Sequence, residues 1–205
     1  MKINLPLLTA LSLIAGFLTG CQPPKAGSSP ESNVAHATRN NSYSLLHQLL
    51  DEQKDVSILH FIKREHPDVK NLIKRIAAAS GGGSKLLEKF AQQDPSINLD
   101  DIRLPPGETA TRQAIASAQK KELLGQTGDE FELALLLTQT EALSYAWHLA
   151  KVASENESLP DRSRALAGVS ENMENLYHEV FAMLLSKQND PRRTGSREDK
   201  HQARN

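Results

Sequence analysis

Apolar residues recur at helical spacing along most of this chain, and no segment shows the apolar-polar alternation that is typical of a half-buried strand. The predicted helices cover residues 44–65, 68–79, 84–93 and 108–124, a long segment from 127, and a last segment from 160. The glycine run at 81–83 is expected to end the second helix. Thr127 and Glu130 fit a capping box at the start of the long helix. This pattern predicts an all-α fold, an up-down antiparallel bundle of four main helices with short extra helices.

The long helix carries apolar residues on two nearly opposite sides. One stripe has the spacing of a bundle seam and comprises Phe131, Leu135, Thr138, Ala142, Ala146, Leu149 and Val152. The second stripe comprises Leu133, Leu136, Leu137, Leu143 and Trp147. A helix that is apolar on two sides is either central in its own bundle or half of an interface. We favour the central position, and the alternative is a homodimer or a partner protein that docks over Leu136, Leu143 and Trp147.

The N-terminal segment is apolar over residues 5–17 and carries one positive charge at Lys2, as bacterial secretory signals do. It is too short and too interrupted by polar residues for a membrane span, which takes about 20 apolar residues. It ends in Leu18-Thr19-Gly20-Cys21, which contains the only cysteine of the chain. This ending resembles the signal peptide of bacterial lipoproteins, and the resemblance implies that Cys21 becomes the lipidated N-terminus. By the same resemblance, Gln22 implies sorting to the outer membrane, with the protein facing the periplasm.

Both ends of the mature chain are polar and are expected to be disordered, because they cannot bury enough apolar surface to offset chain entropy. The chain is therefore divided into a signal peptide over 1–20, a disordered tether over 21–41, a helical bundle domain over 42–187 and a disordered basic tail over 188–205. The tether would hold the domain away from the lipid bilayer.

Composition excludes several classes of function. The formal net charge is −1 and aromatic residues make up 4% of the chain, so neither a positive field nor stacking platforms would attract nucleic acid. A single cysteine excludes a disulfide framework and thiolate metal sites. The sequence has no nucleophile elbow, no phosphate-binding loop and no zinc-protease helix. No enzyme is evident, although an active site assembled from distant residues stays open.

Several short motifs resemble those of exported bacterial proteins of unassigned function that have a ferritin-like helical bundle. The motifs are Pro67-Asp68-Val69-Lys70, Leu104-Pro105, and Gly128-Asp129-Glu130-Phe131-Glu132 followed by Gln139. The resemblance spans roughly 44–187 and implies a ferritin-like fold. Members commonly carry histidines in the middle helices, whereas Leu143 stands at one matching position here.

A ferritin-like di-metal centre needs Glu-x-x-His pairs from facing helices, and this sequence contains none. The candidate ligands are His60 on the first predicted helix and Glu141 and His148 on the long helix, and no cofactor other than a metal ion is expected. Glu141 and His148 lie two helical turns apart, about 10 Å at about 1.5 Å per residue, so they cannot chelate one ion alone. His178 is expected to point to water.

Two functions from different classes follow from these observations. The first is an outer-membrane-anchored periplasmic lipoprotein that acts as a helical binding or structural module and presents Trp147 with its leucine neighbours to another envelope protein. The alternative is a metal-binding, ferritin-like redox or storage protein that uses His60, Glu141 and His148. A third interpretation is an inert spacer or surface-exclusion lipoprotein.

Overall fold

The computed structural model describes residues 30–57 and 66–189. Its helices are α1 (Pro30–Gln53), α2 (Pro67–Gln93), α3 (Pro106–Gly125), α4 (Gly128–Glu155) and α5 (Pro160–Gln188). No strand occurs in these two ranges. The predicted all-α class is therefore confirmed.

Four of the helices form the core of an up-down bundle. α4 packs between α1 and α5, and α2 completes the ring by contacting α1 and α5. The antiparallel directions follow from the paired contacts of Asp51 with Ser84, His47 with Glu88, Ser154 with Ser163 and Trp147 with Ser170. The largest fully buried side chains are Tyr43, Leu46, Leu50, Ile73, Ile76, Leu87, Phe131, Leu135, Leu136, Leu143, Leu166 and Met173. Removal of this apolar surface from water is the main term that favours folding.

α3 lies outside this core and contacts α4. None of its residues is buried. Polar contacts attach it, since Arg112 Nη1 donates to Tyr145 Oη at 2.6 Å and the Arg112 guanidinium lies 4.8 Å from the Tyr145 ring centroid. A second bond runs from Gln119 Nε2 to Glu141 Oε2 at 2.6 Å. α3 is therefore an outer helix, attached by these contacts and by half-buried Leu123, which packs against the core.

The glycine run at 81–83 does not end a helix, because α2 continues through it to Gln93. The predicted short helix over 84–93 is the second half of α2. A Cβ atom at Gly83 would lie 2.8 Å from Leu50 Cδ1, so α1 and α2 approach each other more closely here than a side chain would permit. Gly83 therefore serves helix packing, and α2 stays helical through the run despite the low helix propensity of glycine, about 1 kcal/mol each.

The predicted disordered tether over 21–41 is wrong for its last part, because α1 begins at Pro30 rather than within the predicted domain from 42. Its polar residues are used in contacts with the segment that follows α2. Arg39 is buried and its Nη2 donates to Ser96 Oγ at 3.1 Å, while Asn40 Nδ2 donates to Ser96 O at 3.0 Å. Polar composition did not mean disorder here, because a second segment satisfies these side chains. α1 also ends earlier than predicted, at Gln53.

The predicted capping box at the start of α4 is not formed. Thr127 occupies the N-cap position, but its side chain makes no capping hydrogen bond. The chain enters α4 through Gly128, whose φ of +58° lies in the left-handed region that favours glycine.

Candidate functional sites on the bundle

The predicted docking surface over Leu136 and Leu143 is wrong, because both side chains lie in the core. Leu136 is 0% exposed and Leu143 is 2% exposed. α4 contacts α1, α5 and α3, so neighbouring helices cover most of both apolar stripes. Leu137 is the exposed member of the second stripe, with 52% of its surface accessible, while Leu133 and Trp147 are half-buried. The central position of α4, which we favoured from its two stripes, is thus what the structure shows.

Trp147, the third predicted docking residue, is half-buried and packs against the core from its edge. It belongs to a cluster that we call the aromatic face, made of Trp147, His148, Tyr177, His178 and Phe181. The Trp147 ring centroid lies 4.4 Å from that of His148, 6.0 Å from that of Tyr177 and 6.4 Å from that of His178. The aromatic face therefore joins the outer sides of α4 and α5.

The aromatic face is accessible to solvent along α5. Phe181 is 42% exposed and stacks on Tyr177, with ring centroids 6.1 Å apart and an interplanar angle of 10°. Leu185 follows one turn later and is 43% exposed. His148 and His178 are exposed at the edge of the cluster, and the position of His178 agrees with its predicted contact with water. The row of half-buried Tyr177 and exposed Phe181 and Leu185 was not predicted, although its steps of four are visible in the sequence.

The predicted metal ligands are not brought together by the described residues. Glu141 is exposed and accepts the bond from Gln119 of α3, while His148 is exposed and its Nδ1 lies 2.7 Å from Ser144 O. Neither belongs to a group of three ligand side chains in the described ranges. His60, the third predicted ligand, lies outside the described residues, as does the lipidation residue Cys21.

Two other groups do place one histidine and two carboxylates close together. The first is His66, Asp129 and Glu132, near the start of α4. The second is His47, Asp51 and Glu88, on the surface shared by α1 and α2. In each group the ligand atoms lie within 4.8 Å of one another.

The buried carboxylate of Glu132 is already satisfied by the protein. It accepts a bond from Lys187 Nζ at 2.6 Å and from the backbone amide of His66, and it lies 2.9 Å from His66 Nδ1. Burial raises the pKa of the Glu132 carboxyl, but the bonds from Lys187 and His66 outweigh burial and hold the pKa below its ordinary value. Through these contacts Glu132 links the starts of α2 and α4 to the end of α5.

The group on α1 and α2 is less complete. His47 Nε2 is buried without a hydrogen-bond partner and lies 3.6 Å from Glu88 Oε1. Asp51 accepts a bond from Ser84 Oγ at 3.3 Å and pairs with Lys54. The His47 and Asp51 pair at a spacing of four was visible in the sequence. Glu88 was not, because its position depends on how α2 packs on α1.

A polar network around Glu157 lies at the end of the bundle opposite the Glu132 group, and it has a structural role. Tyr43 Oη donates to Glu157 Oε2 at 2.7 Å, and Leu159 N donates to Glu157 Oε1 at 3.0 Å. Arg39 Nη1 lies 3.9 Å from the same carboxylate. Burial, followed by the bond to Glu157, raises the pKa of Tyr43 well above its ordinary value. These contacts tie α1 to the turn between α4 and α5.

Comparison with protein-family models and with curated proteins finds no match. Among solved structures, a protein from Streptomyces coelicolor described as a secreted DUF305 protein is similar, with a TM-score of 0.56 and 18% sequence identity. The match covers 75% of this chain and 94% of that chain. At this identity the likeness supports the helical fold alone. Within the described ranges, no helix has the length and apolar character that a membrane span needs.

Proposed function

We propose that this chain is a bacterial lipoprotein, anchored through Cys21 at the outer membrane, whose helical bundle is a periplasmic docking module for another envelope protein. The docking surface is the aromatic face. Its occupant is an amphipathic helix of the partner, which places apolar side chains against Trp147 and Phe181. In this proposal the domain is a divergent member of the exported ferritin-like proteins that its motifs resemble.

The exposed cluster on α4 and α5 carries the proposal. Contiguous apolar groups on a monomer surface mark interaction sites, and tryptophan and tyrosine are enriched among residues that dominate binding energy. Tyr177, Phe181 and Leu185 form a row at steps of four along α5, which suits contact with a partner helix. His148 and His178 add ring nitrogens at the rim, where polar contacts give specificity.

Lipid attachment supplies the location of the proposed module. Each buried methylene of an acyl chain contributes about 0.8 kcal/mol to membrane binding, so two or three chains on Cys21 would hold the protein at the bilayer. Mass spectrometry of the N-terminal peptide from membranes should show acylated Cys21, and Cys21→Ser should leave the chain without the lipid. An unmodified Cys21 in the wild type would remove the anchor from the proposal, while leaving the aromatic face to be tested separately.

The docking surface can be tested by photocrosslinking in cells. A photoreactive residue at position 181 should give a discrete adduct with one envelope protein, because Phe181 lies in the proposed contact. The matched control is position 172, since Asn172 is also exposed on α5 but lies nine residues before Phe181, on the opposite side of the helix. An adduct of twice the chain mass would favour the homodimer instead. Absence of an adduct at 181, or the same adduct at 172, would contradict this docking surface.

A further inference from the structure

The group on α1 and α2 offers a set of metal ligands that the docking proposal does not use. His47 and Asp51 lie one helical turn apart on α1, and Glu88 faces them from α2. The set comprises one imidazole nitrogen and two carboxylate oxygens. Zinc takes these ligand types at about 2.0–2.2 Å, and manganese and ferrous iron also accept them.

The distance between His47 and Glu88 suits two ligands of one ion. Two ligands at about 2.0–2.1 Å from a tetrahedral zinc ion lie about 3.4 Å apart. His47 Nε2 and Glu88 Oε1 are 3.6 Å apart, which is close to that value and too long for a good hydrogen bond. His47 Nε2 is also buried and has no hydrogen-bond partner beside this long contact, whereas buried polar atoms normally have one. A bound cation would satisfy this nitrogen.

Helix packing holds the three side chains in register. The absence of a side chain at Gly83 lets α2 approach Leu50 of α1, and Ser84 bonds to Asp51 in the next position. One turn further along the antiparallel pair, Glu88 comes opposite His47. The site is thus built on two helices, which position ligands more accurately than loops do.

Asp51 contacts two side chains, the Ser84 hydroxyl and the Lys54 ammonium. The hydroxyl of Ser84 donates to Asp51 Oδ1 and can orient it, as hydrogen bonds commonly do for metal-bound carboxylates. The Lys54 ammonium pairs with the same oxygen, but the Lys54 and Asp51 side chains are 41% and 44% exposed. An ion pair this exposed is weak, so a divalent cation can displace the ammonium.

We propose that His47, Asp51 and Glu88 bind one divalent transition-metal cation, with water completing its coordination. The Glu88 side chain is 47% exposed, so the cation enters from solvent along the α1–α2 surface. The bound cation links α1 to α2 and therefore stabilises the bundle. Zn²⁺ is the probe, because its affinity for such ligands exceeds that of manganese or ferrous iron.

Isothermal titration tests the proposal on the full-length chain, purified in detergent and stripped of metal with a chelator. The wild type should bind one Zn²⁺ per chain. His47→Ala and Glu88→Gln should each weaken binding about tenfold or more, since each removes a direct ligand. The matched controls His148→Ala and Glu141→Gln, which change exposed residues of α4, should leave the affinity unchanged.

Thermal unfolding separates ligand loss from misfolding. Zn²⁺ should raise the melting temperature of the wild type, because a ligand that binds the folded state stabilises it. Glu88→Gln should keep the metal-free melting temperature and lose the zinc-dependent rise, because its side chain is half exposed. The proposal is overturned if the wild type binds no stoichiometric zinc, if Glu88→Gln retains the wild-type affinity, or if His148→Ala loses as much affinity as His47→Ala.

Discussion

The two histidine-carboxylate groups of this bundle contain the same residue types but differ in what already neutralises the acids. Glu132 is 1% exposed and is bonded to Lys187 and to the amide and ring of His66. On the α1–α2 surface, by contrast, His47 Nε2 has no hydrogen-bond partner. Lys187 neutralises a buried carboxylate in the first group, whereas Lys54 pairs with Asp51 of the second group only at the exposed surface.

This difference shows that residue types alone do not define a metal site. A carboxylate that a protein ammonium and a backbone amide already satisfy is a structural element, because a cation would have to displace both. In the other group, a buried ring nitrogen without a hydrogen bond can instead bind a cation. The contacts of the Glu132 group therefore point to fold stability, and our proposal of cation binding concerns the His47 group alone.

The largest expected effect is on the buried carboxylate. Glu132→Ala should lower the free energy of unfolding by about 3 kcal/mol or more, because it leaves the Lys187 charge and the His66 amide without their acceptor. Glu88→Ala should lower it by less than about 1 kcal/mol in the absence of metal, because that side chain is half exposed. Urea unfolding followed by circular dichroism measures both. Equal losses would abolish the distinction between the two groups.

The glycine run provides the next test. Gly83→Ala should be less stable than Gly82→Ala by about 1–3 kcal/mol, since its Cβ would lie 2.8 Å from Leu50 Cδ1 in a fully packed core. At Gly82 nothing lies within 4 Å of the added atom, so alanine should be neutral or stabilising there. Gly83→Ala should also weaken zinc binding, by separating Glu88 from His47. Identical unfolding curves for the two variants would show that close packing does not set this register.

Acid stability should depend on the Glu132 group. The pKa of Glu132 is below its ordinary value in the folded protein, so its stabilisation is complete above the unfolded value of about 4.3 and is lost as pH falls through the folded pKa. The urea concentration at which half of the wild type is unfolded should therefore decrease as the pH is lowered from about 5 to about 2. The fall should be smaller in Glu132→Gln, which cannot ionise. A fall of equal size in the variant would mean that Glu132 does not contribute to acid stability.

The smallest expected effect is at the edge of the proposed metal site. Lys54→Ala removes the ammonium that competes for Asp51, so zinc should bind more tightly, by about fivefold or less, in keeping with the weakness of an exposed ion pair. The unfolding midpoint without metal should stay the same. The matched control is Lys89→Ala, an exposed lysine of α2. Weaker zinc binding by Lys54→Ala would argue against Asp51 as a ligand.

The all-α class was predictable because apolar residues repeat at steps of three and four along every core helix. The length of α2 was not, because helix propensity says nothing about the close packing at Gly83 that keeps the chain helical. The start of α1 was missed for a similar reason. Arg39 and Asn40 are polar, but Ser96, more than 50 residues away in sequence, bonds to both.

The candidate sites were less accessible to sequence reasoning. Periodicity revealed two apolar stripes on α4 but not which helices cover them. Leu136 and Leu143 were therefore predicted to lie on a docking surface, whereas both are buried. Glu141 and His148 lie on one flank of α4, yet α3 and the α4 backbone occupy their polar atoms. His47 and Glu88 meet only through the register of two packed helices, which no local pattern encodes.

The decisive measurement for cation binding at His47 is an anomalous difference map at the zinc absorption edge, from crystals of the protein loaded with one Zn²⁺ per chain. We predict a single strong peak about 2.0–2.2 Å from His47 Nε2 and from carboxylate oxygens of Asp51 and Glu88. A principal peak between His66 and Glu132, or beside His148, with none at His47, would contradict the account.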